Sequence, residues 1–437
     1  MKQTSPTAGK GPTTRLGIQE NAAQFALLVL INGFVGAMVG MERSILPALA
    51  EEEFHQVARV AVLSFIGVFG LAKALANVFA GSWADKTGRK RVLVAGWLIA
   101  TPVPFLLMWA PSWSWILAAN ALLGVSQGLS WSAAVIMKID LAGPKRRGLA
   151  MGLNEAAGYL AVAVSAAATG WVAAEFGLRP APFMLGVGYV VAGLGLTLLF
   201  VRETSDHAAH EQHSTAQAPD TAWTARAVFV ETSLKDRNLS AFSQAGLVNN
   251  LNDGMAWGLF PLMFMASGLS LSEVGVLAAI YPAVWGFGQL LTGAWSDHVG
   301  RKRLIVGGMW LQALGIATVG AVGSFWGYAL GMALLGAGTA MVYPTLLAGI
   351  SDVAEPAWRA TAVGVYRWWR DLGYVVGAIV AGVVADALGF GAAVQVVAVL
   401  TFLSGAWVAW RAEETLTRSA QPEALSNGAR LNRSACR

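Results

Sequence analysis

The sequence predicts an all-α membrane protein in which twelve transmembrane helices form two pseudo-symmetric halves of six. Hydrophobic residues make up 56% of the 437 residues and charged residues 13%, against about 45–50% and about 25% in soluble domains. The apolar residues recur in blocks of about 20, long enough to cross about 30 Å of hydrocarbon. The two halves of the chain also repeat one another. A soluble enzyme, a disordered chain and, with one cysteine, a disulfide scaffold are excluded.

Twelve apolar segments, called span 1 to span 12, follow one another along the chain. They are 22–48, 58–81, 92–110, 114–137, 149–172, 180–201, 240–265, 273–293, 304–322, 325–349, 361–385 and 390–410. The N-terminal half is therefore 22–201 and the C-terminal half 240–410. Polar stretches at 1–21, 202–239 and 411–437 are expected to be a cytoplasmic N-terminal tail, a cytoplasmic linker and a cytoplasmic C-terminal tail.

Basic residues are concentrated in every second connection between spans. They are Lys86, Arg89, Lys90 and Arg91 after span 2, Lys145, Arg146 and Arg147 after span 4, Arg301, Lys302 and Arg303 after span 8, and Arg359 before span 11. The positive-inside rule places these connections and both termini in the cytoplasm, in an inner or plasma membrane. The net charge of +5 is thus explained by topology and requires no nucleic-acid partner.

The linker between the halves contains two features of its own. The spacing of Trp223, Val228 and Phe229 allows one short amphipathic helix on the membrane surface. Three histidines at helical spacing, His207, His210 and His213, leave open either a metal site or a solvated linker.

The first half is repeated in the second at a constant offset of 212 residues. Gly81, Asp85, Gly88, Arg89, Lys90 and Arg91 match Gly293, Asp297, Gly300, Arg301, Lys302 and Arg303, and Asp140 and Arg147 match Asp352 and Arg359. A register held over four spans indicates duplication. Two six-helix halves related by an axis along the membrane normal are a known transporter architecture.

The connections after spans 2 and 8 each read Gly-x-x-x-Asp-x-x-Gly-Arg-Lys. This pattern resembles the signature loop of the major facilitator superfamily, and the resemblance covers about 22–410. It implies secondary transport of a small-molecule substrate by alternating access, without a cofactor or catalytic residue. It also implies that Asp85 meets the cytoplasmic end of span 11.

The resemblance further implies that the basic residues of each loop meet a carboxylate at the end of the following span 4 or span 10. Asp140 and Asp352 lie where such partners are expected. These ion pairs would latch the cytoplasmic side shut and break as the halves rock, with Arg147 and Arg359 in the adjoining loops. The alternative is that the basic loops only set topology.

Drug–proton antiporters of this family usually have an Arg in span 4 three residues before Gln-Gly. This chain has Gly124 there, before Gln127 and Gly128. They also have Gly-Pro in span 5, where this chain has Gly158 and Tyr159. Motif alone therefore does not indicate proton-driven drug export.

Ionisable side chains within the spans are candidates for substrate binding or proton coupling, because charges at membrane depth are costly and usually face a cavity or a partner. They are Lys73, Glu155, Asp253, Arg367, Arg370 and Asp371, with the amides Asn154, Asn249 and Asn252 beside them. Either the carboxylates take up and release protons, or the three cations and three anions are paired and structural. Glu42 and Arg43 lie near the outer end of span 1, where an interfacial ion pair explains them equally well.

Two aromatic residues related by the same offset, Trp131 in span 4 and Tyr343 in span 10, are expected to face the centre. Cations beside aromatic rings suit an amphiphilic or anionic organic solute. The sequence thus predicts a monomeric transporter in the lipid bilayer that exports such a compound, driven by protons. Uptake of an organic anion and a sensor that binds without translocating remain alternatives.

Overall fold

The computed structural model describes residues 16–142, 147–207, 223–355 and 358–416, and this part of the chain is almost entirely helical, with no strand. The N-terminal half contains span 1 (Ala22–Arg43), span 2 (Ser64–Thr87), span 3 (Arg89–Ala100 and Val103–Trp109), span 4 (Trp113–Ala142), span 5 (Arg147–Phe176) and span 6 (Ala181–Phe200). Short helices Leu46–Glu52 and Arg59–Val62 join spans 1 and 2. Span 3 is broken at Pro102, which lacks the amide hydrogen that a continuous helix needs.

The C-terminal half repeats this order. It contains span 7 (Arg237–Ala266), span 8 (Leu271–Val299), span 9 (Arg301–Ala321), span 10 (Phe325–Val353), span 11 (Arg359–Leu388) and span 12 (Phe390–Arg411). The linker forms a short helix, Ala225–Val230, followed by one π-helical turn, Glu231–Lys235. The linker thus contains a short helix where the sequence allows one, and its place on the membrane surface stays a prediction.

Eleven of the helices in the described residues are long and apolar enough to cross a membrane. Span 7 is absent from that set because Asn249, Asn250, Asn252 and Asp253 make its centre polar. Its 30 residues nonetheless reach about 45 Å. Twelve helices in two halves agree with the prediction, and the chain is an integral membrane protein.

Each signature loop is a tight turn that requires glycine. Gly88 ends span 2 and begins span 3 with φ at 99°, and Gly300 does the same between spans 8 and 9 with φ at 104°. Side chains strongly disfavour this backbone region. The side of the molecule that contains these two turns is called the signature-loop face, and the other side the opposite face.

The two halves are in contact at the opposite face. A Cβ atom added to Gly170 of span 5 would lie 2.7 Å from Cα of Gly275 in span 8. One added to Gly382 of span 11 would lie 2.5 Å from Cα of Val60. The Asp386 carboxylate also accepts the backbone amide of Val60 at 3.0 Å. A side chain at Gly170 or Gly382 would therefore not fit between the halves.

The halves separate toward the signature-loop face. Near that face, spans 2, 5, 8 and 11 each carry a glycine at which an added Cβ would meet no atom within 4 Å: Gly81, Gly152, Gly293 and Gly364. Gly81 follows Asn77, which contacts span 11, by one helical turn and so lies on the same side of span 2. We interpret these four uncovered glycines as marking a crevice between the halves that opens at the signature-loop face.

Candidate functional site

A cluster of charged, polar and aromatic side chains fills the seam between the halves at the end of the crevice. We call it the central cluster; it comprises Lys73, Asn77, Trp131, Glu155, Tyr159, Asp253, Tyr281, Trp285, Tyr343, Arg370, Asp371 and Tyr374. Spans 2, 4 and 5 contribute one side of it and spans 7, 8, 10 and 11 the other. Its residues come from distant parts of the chain, so only the packed bundle assembles it.

An ion pair in span 11 is bonded to the other half of the molecule. Arg370 Nη2 lies 2.7 Å from Asp371 Oδ1, and Arg370 Nη1 donates to the Tyr343 hydroxyl at 2.5 Å. Asn77 Nδ2 donates to Asp371 Oδ2 at 2.5 Å, and Ser132 donates to Asn77 Oδ1 at 3.0 Å. Asp371 thus joins the two halves through its hydrogen bond with Asn77.

Glu155 has one satisfied and one unsatisfied oxygen. Its Oε1 accepts from Trp131 Nε1 at 2.8 Å and from Asn154 Nδ2 at 3.0 Å. Its Oε2 is buried without a hydrogen-bond partner. No cation forms an ion pair with Glu155 in the described part of the chain, because Lys73 instead lies over the rings of Phe69 and Trp131, each at 5.6 Å.

Asp253 in span 7 shows the same asymmetry. It accepts a hydrogen bond from the Tyr281 hydroxyl, while its Oδ2 is buried without a hydrogen-bond partner. A buried carboxylate oxygen without a donor is costly to keep charged. Neither carboxylate forms an ion pair with a described residue, and each keeps one buried oxygen that no donor satisfies.

Aromatic rings close the end of the crevice. Tyr159 of span 5 stacks on Trp285 of span 8 with centroids 3.5 Å apart, across the seam. Trp131 lies 5.4 Å from Tyr159, and Tyr343 lies 5.5 Å from Trp285. The structure thus places both predicted aromatics in this row, although each contacts the neighbouring ring rather than the other.

Two predicted residues lie outside the seam. Asn249 accepts from Gln312 at 2.9 Å, and Asn252 donates to Gln312 at 2.7 Å and accepts from Thr401 at 2.7 Å. These bonds join spans 7, 9 and 12 within the C-terminal half. Arg367, by contrast, is half-buried beside the central cluster, and its Nε has no hydrogen-bond partner.

The signature loops contain the ion pairs that the resemblance implies. Arg89 Nε lies 3.2 Å from Asp140 Oδ2, and Arg301 Nε lies 3.1 Å from Asp352 Oδ2. Both pairs lie within one half, so neither by itself bridges the crevice. The side chains of Asp85, Asp297 and Arg147 lie outside the described part of the structure, as do residues Lys145 and Arg146.

The other basic loop residues lie at the same face. Lys90 Nζ donates to the carbonyl of Leu198 at 3.1 Å, and Arg359 Nε donates to that of Ala354 at 3.0 Å. The remaining three are exposed or half-exposed: Lys302, Arg91 and Arg303. Of the three histidines, His210 and His213 lie outside the described residues, within which no group of three metal-binding side chains occurs.

Sequence reasoning missed a carboxylate that follows the last span of each half. Glu203 accepts the backbone amides of Arg89 and Lys90, both at 3.0 Å. Glu414 accepts those of Arg301 and Lys302 at 2.7 and 3.2 Å. Each carboxylate caps the first turn of the third helix in its half, where helix amides lack partners.

A signal for these carboxylates exists in the sequence. Glu203-Thr204 and Glu414-Thr415 form a repeated pair, but their offset is 211 rather than 212 residues, so a comparison without gaps skips them. The two threonines donate to Asp140 and Asp352 at 2.8 and 3.3 Å. The two loops are therefore tied to spans 4 and 10 in the same way.

The pKa of Glu203 lies below its ordinary value. Partial burial opposes ionisation, but hydrogen bonds from the Ser205 hydroxyl and from the amides of Lys90, Arg89 and Thr204 outweigh it. The hydrogen bonds within the signature loop therefore favour the ionised form of Glu203.

A second missed residue is Lys138 of span 4, which is fully buried and donates to the carbonyl of Leu28 in span 1 at 2.9 Å. It escaped notice because it lies one residue beyond the predicted end of its span. It joins spans 1 and 4 within the N-terminal half.

Known proteins resemble this chain over the whole membrane domain. The sequence profile of the Major Facilitator Superfamily matches residues 26–242 and again 242–434. The chain belongs to this superfamily. The two matches agree with the internal repeat. As a member of this superfamily, the chain is a membrane transporter.

Among its relatives is the multidrug resistance protein MdtG of Serratia proteamaculans, 24% identical over 80% of this chain and 83% of that protein. A protein of Cupriavidus pinatubonensis named "Probable 4-methylmuconolactone transporter" is 26% identical over 60% of each chain. The nucleoside transporter NupG shares the fold at a TM-score of 0.70 and 14% identity, over 88% of this chain and 99% of that one. A bacterial homologue of the human lysosomal transporter Spinster, in an inward-facing conformation, also shares the fold. Its TM-score is 0.66 and its sequence identity 16%, over 89% of this chain and 96% of that one.

Proposed function

We propose that this protein is a proton-coupled exporter of small amphiphilic or anionic organic compounds in the inner membrane, working by alternating access. The observation that supports this proposal best is that the halves are in contact at the opposite face, while four spans carry uncovered glycines near the signature-loop face. Basic residues concentrate at the signature-loop face, so that face is cytoplasmic and the structure is inward-facing. A solute from the cytoplasm would approach the central cluster from that face, and most side chains of the cluster are buried at the end of this path.

The chemistry of the central cluster supports the substrate class. The stacked rings of Tyr159 and Trp285 are buried aromatic groups at the seam, and half-buried Arg367, near Tyr343, has one donor without an acceptor. Guanidinium binds carboxylate and phosphate groups well, and aromatic rings bind planar apolar ones. Relatedness to multidrug resistance proteins favours export.

Coupling to protons rests on the carboxylates Glu155 and Asp253. Each has a buried oxygen without a hydrogen-bond partner at the seam, where alternating access exposes it to one side and then the other. Intramembrane carboxylates with this placement are typical of proton relays. Arg370 and Asp371, in contrast, satisfy each other and support the structural alternative for that pair.

A growth assay tests the proposal. Host cells with and without the overexpressed protein are grown against a panel of toxic organic compounds and oxyanions, with Asp85→Asn as the loop-impaired control. Resistance to a compound that is lost in Asp85→Asn supports export and names a substrate class. Equal growth with and without the protein across the panel contradicts export of toxic compounds.

Uptake of an organic anion is the second candidate, and the cations Lys73, Arg367 and Arg370 around the seam favour it. The relative named as a methylmuconolactone transporter is compatible with it. Sensitisation of cells in the same assay, lost in Asp85→Asn, would support uptake over export. A sensor that does not translocate would give neither effect.

A further inference from the structure

An arginine outside the central cluster is buried without a hydrogen-bond partner. Arg43, at the end of span 1, is 1% exposed, and its Nε, Nη1 and Nη2 atoms all lack an acceptor. The preceding Glu42 is fully buried, and neither of its oxygens has a hydrogen-bond partner. The interfacial ion pair that the sequence allows is therefore not formed.

Aromatic rings from both halves enclose the Arg43 guanidinium. Its central carbon lies 4.7 Å from the ring of Phe69 and 5.7 Å from that of Phe65, both in span 2. It lies 4.8 Å from the ring of Trp257 in span 7, which stacks on Tyr374 of span 11. The rings cover the faces of the guanidinium, while its N–H edges remain unsatisfied.

This arrangement is costly unless another state satisfies the guanidinium. The cation–π contacts and the nearby carboxylates of Glu42 and Asp253 offset only part of the cost of burying a charge without hydrogen bonds. Trp257 belongs to the C-terminal half and Arg43 to the N-terminal half. When the opposite face opens, Trp257 moves away with its half and the guanidinium becomes accessible from that side.

We propose that Arg43 is a second anion-binding site, on the side of the opposite face, which binds the carboxylate or phosphate group of a solute when that face opens. Trp257 covers the guanidinium when the opposite face is closed, and the anion contacts the guanidinium when that face is open. This inference rests on the proposed alternating access. It adds a site beside the central cluster, near Asp253 and Tyr374, that imposes a preference for oxyanions.

The test measures anion binding to purified protein in detergent, where both states are accessible, through thermal stabilisation by sodium benzoate. Benzamide is the neutral probe of the same shape, and inorganic phosphate is the second anion. Arg43→Gln should weaken benzoate binding by about 10–100-fold, because a hydrogen bond to a charged group is worth about 1.5–3 kcal/mol. Arg43→Lys should weaken benzoate binding less than Arg43→Gln does, because lysine keeps the positive charge but cannot bind a carboxylate with two parallel hydrogen bonds.

The matched control is Arg59→Gln. Arg59 lies near the same face over the ring of Phe390 at 5.3 Å, but its Nη1 already donates to the carbonyl of Val57. This variant should bind benzoate as the unaltered protein does. Binding that survives Arg43→Gln, binding lost only in Arg367→Gln, or no response to either anion in the unaltered protein would each overturn the proposal.

Modification by phenylglyoxal keeps the proposal testable if Arg43→Gln does not fold. In the unaltered protein, benzoate should protect Arg43 and leave Arg59 equally reactive, as measured by mass spectrometry. Equal reactivity of Arg43 with and without benzoate, or no reaction at all, would contradict it. Failure of export would instead appear in the growth assay while Arg43-dependent binding persists.

Discussion

At the scale of single residues, Glu155 is the proposed proton-coupling group. One oxygen is held by Trp131 and Asn154, and the other is buried without a hydrogen-bond partner. The two hydrogen bonds fix the position of the carboxylate, so the proposed coupling would act through its charge.

Replacing Glu155 by Gln should therefore abolish the pH dependence of transport, because the amide cannot exchange a proton while it keeps the shape of the carboxylate. The measurement is the initial rate of transport in proteoliposomes across a pH series. Glu175→Gln is the matched control, since Glu175 lies exposed at the end of the same span. An unchanged pH profile in Glu155→Gln would reject Glu155 as a coupling group.

Glu203 should make the stability of the protein depend on pH. Its pKa is lower in the folded than in the unfolded chain, so its contribution is present above the ordinary pKa of the carboxyl group. The contribution is lost as the pH falls through the lowered pKa. Glu203→Gln should lower the midpoint of thermal unfolding at pH 7, and the difference from the unaltered protein should shrink at low pH. Equal midpoints at pH 7 would contradict the capping role.

Which residues line the seam could be predicted from the sequence only in part. Lys73, Glu155, Arg370 and Asp371 were found because charges in apolar spans are conspicuous. The hydrogen bond that withdraws Asn249 into the C-terminal half depends on Gln312, 63 residues away along the chain. Single-sequence patterns do not contain such contacts between distant helices.

At the scale of elements, the chain order of twelve helices follows from hydropathy because each span must satisfy its own backbone in lipid. Span 7 was found from its length although its centre is polar. The ends of helices were less predictable, since they depend on capping. Span 3 begins at Arg89, three residues earlier than expected, because the carboxylate of Glu203 accepts its first amides.

Gly88→Ala should therefore destabilise the N-terminal half. The residue has φ at 99° and ψ at 147°, a region that is essentially limited to glycine and costs other residues about 1–3 kcal/mol. The added atom would also lie 2.6 Å from Glu203 Oε2. Thermal unfolding in detergent measures the effect, and Gly81→Ala, in the preceding helix where the added atom meets nothing, is the control. Equal unfolding midpoints for the two variants would contradict the requirement for glycine in this turn.

At the scale of the whole molecule, the two halves meet through surfaces of small residues whose contacts differ between the faces. Gly170 lies against Gly275 at the opposite face, and Gly81 faces open space near the signature-loop face. If the halves rock, spans 5 and 8 part at the opposite face while spans 2 and 11 approach each other at the signature-loop face. Gly170 would then lose its contact and Gly81 would gain one. A large side chain at either glycine therefore obstructs one of the two states.

Gly81→Leu should hold the molecule in the state described here, while Gly170→Leu should drive it toward the state with the opposite face open. Overpacking costs about 1–3 kcal/mol, so the ratio of the two states should change about tenfold or more in opposite directions. Spin labels at exposed Lys86 and His298, in spans 2 and 8, measure the separation of the halves at the signature-loop face. Gly188→Leu is the control, because its added atom meets nothing and span 6 lies away from the seam. Identical distance distributions in all three variants would mean that the halves do not rock about this seam.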